Sequence, residues 1–129
     1  MAYEREDELK GYTRRFRMGC GKLYVTFNFD SAGVFRELFI RLGKAGGCQG
    51  CLVQGLGRLL SLAVQGDPDP AVLGKTLIGM QCPGNALGPP ETRLYSCLDG
   101  IGKELISIGK KHADGVFYIG GKWITKTED

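Results

Sequence analysis

Five cysteines carry the most distinctive chemistry in this sequence, and four of them fall where an element begins or ends. Cys20 lies between two glycines just before a strand-like run, and Cys48 follows Gly46-Gly47 at the start of a helical pattern. Cys82 precedes Pro83 in a loop, and Cys97 opens the last long helical pattern. Loops at element ends can draw such residues together. A helix N-terminus carries partial positive charge and open N–H donors, which favour the thiolate over the thiol. Four thiolates close a tetrahedral site around Zn²⁺ and add directly to folding energy. Buried cysteines can also serve as small hydrophobes. Only Cys48-Gln49-Gly50-Cys51 forms a CxxC, with no second one, so spacing alone leaves both readings open.

The compartment bears on that choice. No apolar run approaches the ~20 residues that span a bilayer. Residues 1–10 are acidic and polar (Glu4, Glu6, Asp7, Glu8), the reverse of a secretory signal. These features predict a cytoplasmic chain, where cysteines serve as metal ligands or catalytic thiols more than as disulfides. The odd cysteine count argues the same way. At 129 residues the chain fits one domain with a real core, and its net charge of +3 dictates no partner.

The elements that must position the cysteines are legible from periodicity. Residues 1–12 read as a polar leader. Residues 13–18 add a strand, and residues 22–29 alternate strictly, with Leu23, Val25, Phe27 and Phe29 on one face. Asp30-Ser31-Ala32-Gly33 turns the chain into a second strand over 34–42, with Leu38, Ile40 and Leu42 on one face. After a glycine-rich loop over 43–47, Leu52, Val53, Leu56, Leu59, Leu60, Ala63 and Val64 recur at helical spacing, ending at Gly66.

Asp69 and Pro70 offer an N-cap and a first helical residue for a short helix reaching Leu77 or Ile78. Residues 81–91, with three prolines, predict a loop. Ser96-Cys97-Leu98-Asp99 looks like a capping-box variant for a helix striped by Leu98, Ile101, Leu105 and Ile108. Residues 116–119 and 122–125 form a hairpin about Gly120-Gly121. The sum is an α+β fold: a small antiparallel sheet packed by three helices, plus a C-terminal hairpin.

Five stretches in order, GCGKLYVTFN (19–28), FIRLGKAGGC (39–48), LGRLLSLAV (56–64), DPAVLGKTLIGMQCPG (69–84) and SCLDGIGKEL (96–105), resemble the TSCPD domain. That domain occurs at the C-terminus of cobalamin-dependent (class II) ribonucleotide reductases and in small free-standing proteins. LKGYTRRFR (9–17) looks like the junction that precedes the domain in those reductases. The resemblance implies a metal domain over 13–111 and a C-terminal extension over 112–129.

It also implies Cys20, Cys48, Cys82 and Cys97 as metal ligands, with Cys51 a spare thiol or substitute ligand. This sequence has Tyr95-Ser96-Cys97-Leu98-Asp99 where the family has Thr-Ser-Cys-Pro-Asp, a change that keeps the cysteine. A fainter fold-level likeness is to iron–sulfur scaffold proteins, whose three ligands would correspond to Cys48, Cys82 and Cys97.

The function expected from this resemblance is a zinc-binding accessory module, not catalytic by itself, whose partner is a protein such as a reductase catalytic chain. A reductase barrel needs several hundred residues. The alternatives are a thiol-redox, sulfur-transfer or iron–sulfur protein using Cys48, Cys51, Cys82 and Cys97, and a nucleic-acid-binding zinc module. For the last, Lys10, Arg14, Arg15, Arg17 and Lys22, with Tyr12 and Phe16 among them, could track a nucleic-acid backbone. The competing reading of that run is a solvated strand face.

Gly43-Lys44-Ala45-Gly46-Gly47 lacks the Gly-Lys-Ser/Thr ending of a phosphate loop. The surroundings of Cys48–Cys51 are not the βαβ unit of a thioredoxin-type pair. His112, the one histidine, reads as a surface residue, and Tyr118 and Trp123 as packing across the hairpin. No Ser/His/Asp set and no nucleotide fingerprint is present.

Overall fold

The computed structural model describes residues 4–18, 21–43, 47–66, 69–80 and 96–126. Strands β1 (Lys10–Met18), β2 (Gly21–Phe29) and β3 (Phe35–Leu42) form one antiparallel sheet in the order β1-β2-β3. Helices α1 (Gly47–Gln65), α2 (Pro70–Lys75) and α3 (Cys97–Ala113) follow, and the hairpin β4 (Val116–Ile119) and β5 (Lys122–Thr125) ends the chain. This is the α+β architecture that the alternation and helical spacing predict. Among the described residues, no helix is long and apolar enough to cross a membrane.

The core follows from the pleat. Leu23, Val25, Phe27 and Phe29 project from one face of β2 and are almost wholly buried. A β-bulge opposite Asn28 and Phe29 shifts the register of β3, so Phe35 joins Leu38 and Ile40 on the core side. Ile101, Leu105 and Ile108 of α3 close over them without measurable exposure, each worth about 1.5–3 kcal/mol of burial.

Several expectations are corrected. The first strand begins at Lys10, not Thr13, and Arg5 upstream of it is already paired with Glu37 at 2.9 Å. On α1, Leu52 and Leu59 do not face the core: they are 71% and 68% exposed. The helix lies along the edge strand β3, so only a narrow stripe of Val53, Leu56, Leu60 and Val64 meets the core, with Gly57 against Ile40. The second helix stops at Lys75, because the N–H groups of Thr76 and Leu77 tighten to the carbonyls of Leu73 and Gly74. Gly79, at φ 81°, then redirects the chain. Of the loops expected over 43–47 and 81–91, residues 44–46 and 81–91 lie outside the described residues, and Gly47 already begins α1.

His112 is half-buried and anchored, not a free surface residue. Its Nε2 stands 3.1 Å from the backbone N of Phe35 and its Nδ1 3.0 Å from the Val116 carbonyl oxygen. The amide can only donate and the carbonyl can only accept, so Nε2 is bare and Nδ1 carries the proton. Burial holds this imidazole below its ordinary pKa, against the opposing pull of the Val116 carbonyl and the carboxylates of Asp30 and Asp69. The ring stacks on Phe117 and tilts against Trp123, which faces Tyr118 across the hairpin. Packing is the expected role of Tyr118 and Trp123, and His112 ties that hairpin to the sheet.

Candidate metal centre

Local bonds fix the direction in which each helix runs. The Ser61 hydroxyl donates to the Leu38 carbonyl at 2.8 Å and accepts the Leu38 N–H at 3.0 Å, while Gly57 lies against Ile40. Helix α1 therefore runs antiparallel to β3 and starts at the Leu42 end. At that end the Gly43 N–H donates to the Lys22 carbonyl at 2.8 Å, beside the Met18↔Gly21 pair that brackets residues 19–20.

Helix α3 has the same polarity. His112 near its C-terminus meets Phe35, at the opposite end of the sheet. Glu104 meets Tyr12 at 2.5 Å and Arg14 at 3.1 Å, midway along β1. Cys97, seven residues earlier, lies about 10 Å further along the axis, toward the end where Met18 and Gly21 pair.

Helix α2 brings the chain back to the same end. Its packing on α3 depends on glycine: a Cβ on Gly74 would stand 2.4 Å from the Gly102 carbonyl oxygen. This close approach carries the following turn to the first turn of α3, where the Gly79 N–H donates to Asp99 Oδ1 at 2.8 Å. Asp99 is 1% exposed and also holds Lys103 at 3.0 Å. The Ser96 hydroxyl accepts the Asp99 N–H at 3.0 Å, the N-cap that the Ser96-to-Asp99 spacing predicts.

The predicted ligands are placed unevenly. Cys97 occupies the first position of α3, half-buried and packed against the core. Cys48 lies in the first turn of α1, where its backbone alone is described. Cys20 and Cys82 lie outside the described residues. Cys51 is exposed on α1. Among the described residues, no group of three or more His, Cys, Asp or Glu side chains is gathered as metal ligands.

Sequence reading missed three polar residues that organise the surroundings. Asp99 read as half of a cap, yet its carboxylate fastens a second segment. Glu104 binds both Tyr12 and Arg14, and burial, then the Glu104 carboxylate, push the Tyr12 phenol well above its ordinary pKa. Glu37, 5% exposed, would be raised by burial, but hydrogen bonds from Arg5 and Asn28 hold it below the usual carboxylate range. A buried acid in a strand can be suspected from alternation; its distant partner cannot.

The family model for the TSCPD domain matches residues 1–108, ending five residues before the end of α3. No curated protein and no solved structure matches the chain. The match spans all five cysteines and the Ser96-to-Asp99 cap. The chain belongs to the TSCPD domain family.

Proposed function

We propose that this chain is a cytoplasmic zinc-binding accessory domain, with Cys20, Cys48, Cys82 and Cys97 as ligands to one structural Zn²⁺. The observation that carries the reading is convergence of described neighbours. Met18 and Gly21, the start of α1, Gly79 and Cys97 all lie toward one end of the sheet. Each is one of the four cysteines or stands within three residues of one.

The donor chemistry is compatible with this metal. Cys48 and Cys97 each belong to the first turn of a helix, where partial positive charge favours thiolate. A closed set of four sulfurs would supply a redox-inert cross-link between four chain segments and no open position for substrate. The role is then structural, and the domain acts through a protein partner, a ribonucleotide reductase catalytic chain being the family's own example. Exposed Leu52, Leu59 and Leu62 on the outward side of α1 are consistent with such a contact.

Elemental analysis of the purified chain, together with its visible spectrum, tests the proposal. One zinc per chain in a colourless protein supports it. A brown protein with iron and sulfide would replace it by the iron–sulfur reading. No stoichiometric metal, with Cys48 and Cys51 cycling between dithiol and disulfide, would replace it by the redox reading.

A further inference from the structure

The sheet has two faces, and the helices cover one. By alternation the other carries Thr13 and Arg15 of β1, Lys22, Tyr24, Thr26 and Asn28 of β2, and Glu37, Phe39 and Arg41 of β3. Register arranges them in rows: Arg15, Tyr24 and Arg41 lie side by side across the three strands, and Thr13, Thr26 and Phe39 form the next row. The Arg41 guanidinium sits 5.3 Å from the Tyr24 ring centroid. Phe39 projects outward with 57% of its surface exposed. A groove of about 610 Å³ continues from Phe39 and Arg41 onto α1, where Gln54, Arg58 and Leu62 line it.

The segment that forms the sheet and α1 is basic. Residues 10–66 contain nine lysines and arginines but only two acids, Asp30 and Glu37, a net +7 within a chain of net +3. Both acids are engaged: Asp30 pairs with Arg36 at 2.8 Å, and Glu37 with Arg5 at 2.9 Å. Helix α1 bears one charged side chain, Arg58. Among the described residues, exposed Arg15, Lys22, Arg41 and Arg58 have no carboxylate partner.

A solvated antiparallel sheet face needs polar side chains, not an outward phenylalanine. Cations flanking exposed aromatic rings on a flat sheet suit a polymer with phosphates and unpaired bases. We propose that this face binds single-stranded nucleic acid, with a base stacked on Phe39 and phosphates held by Arg15, Arg41 and Arg58. The basic run over 10–22 contributes only in part, because Phe16 is buried in the core, Tyr12 packs against it and Arg14 is paired with Glu104. An acidic peptide could use the cations but has no base for the ring, and a duplex keeps its bases stacked inside.

The test is fluorescence anisotropy of the full chain with labelled single-stranded RNA and DNA of about 12 nucleotides, within the site sizes such folds use. A duplex of equal length and heparin serve as polyanion controls. Affinity for the single strands should fall with salt, log K changing by about 0.7 per log unit of salt for each phosphate held. Phe39→Ala should weaken single-strand binding about 5- to 150-fold, the range expected for one lost stacking partner, while heparin binding is unchanged. Phe39→Tyr should retain it, and the RNA and DNA arms tell which strand is preferred.

Because Phe39 is exposed, circular dichroism of Phe39→Ala should match the parent. Absence of single-strand binding at about 50 mM salt would overturn the proposal. So would equal affinity for heparin and single strands with no response to Phe39→Ala, which would mark an acidic protein surface as the ligand. Neither result touches the zinc reading, which rests on other residues.

Discussion

The backbone N–H of Gly79 lies 2.8 Å from the carboxylate of Asp99, joining the turn three residues before Cys82 to the helix that Cys97 opens. This bond spans 20 residues of sequence and is half-buried, so its loss leaves a donor unsatisfied in a poorly hydrated place. Asp99→Ala should lower stability by about 1–3 kcal/mol in urea denaturation and reduce zinc content in the same preparation. Asp99→Asn retains an oxygen that can accept and should lose less. Parent-like stability and zinc in Asp99→Ala would detach this carboxylate from the metal centre.

Cys82→Ser should lower zinc content and stability together, because a structural zinc site contributes folding energy directly. Cys51→Ser should change neither, since Cys51 is exposed on α1 and falls outside the proposed ligand set. Thermal melts paired with metal analysis on both variants make the comparison. Equal effects would show that the ligand choice is wrong.

The imidazole of His112 gives the fold a pH dependence of definite sign. Its folded pKa lies below the ordinary 6.5, so the unfolded chain binds a proton that the folded chain refuses. Its stabilising contribution is complete above pH 6.5 and is lost as pH falls from there toward the folded value, where the loss levels off. Charging the ring would put a proton on Nε2 opposite the Phe35 N–H. Denaturation midpoints from about pH 5 to about pH 8 should show this fall in the parent and a smaller one in His112→Gln. Identical profiles would assign the pH dependence to other groups.

Glycine contacts between α2 and α3 should be intolerant of a single methyl. Gly74→Ala places a Cβ 2.4 Å from the Gly102 carbonyl oxygen and should cost about 1–3 kcal/mol. Gly55→Ala, in α1 with nothing within 4 Å of the added carbon, should instead stabilise by about 0.5–1 kcal/mol. Chemical denaturation of both variants decides the matter, and a neutral Gly74→Ala would mean that the helices can separate freely.

Alternation over residues 22–29, the Asp69 and Ser96 caps and the Gly120-Gly121 turn each encode local geometry, so these elements could be read without the structure. What could not be read depends on distant partners. Leu52 and Leu59 fit a helical stripe as well as Leu60 does, and only the seating of α1 along β3 turns them outward. His112 looked peripheral because its partners, Phe35 and Val116, come from a strand and a hairpin. For the metal centre, sequence offered the cysteines and the family likeness. That the described neighbours of these cysteines lie toward one end of the sheet follows from contacts such as Ser61–Leu38 and Gly79–Asp99, which no spacing rule encodes.

The central claim is that sulfur alone surrounds the metal. X-ray absorption at the zinc edge of the purified full chain measures that environment directly. A first shell of about four sulfurs near 2.3 Å is the predicted result. A shell of nitrogen and oxygen, or a chain without stoichiometric zinc, would contradict it.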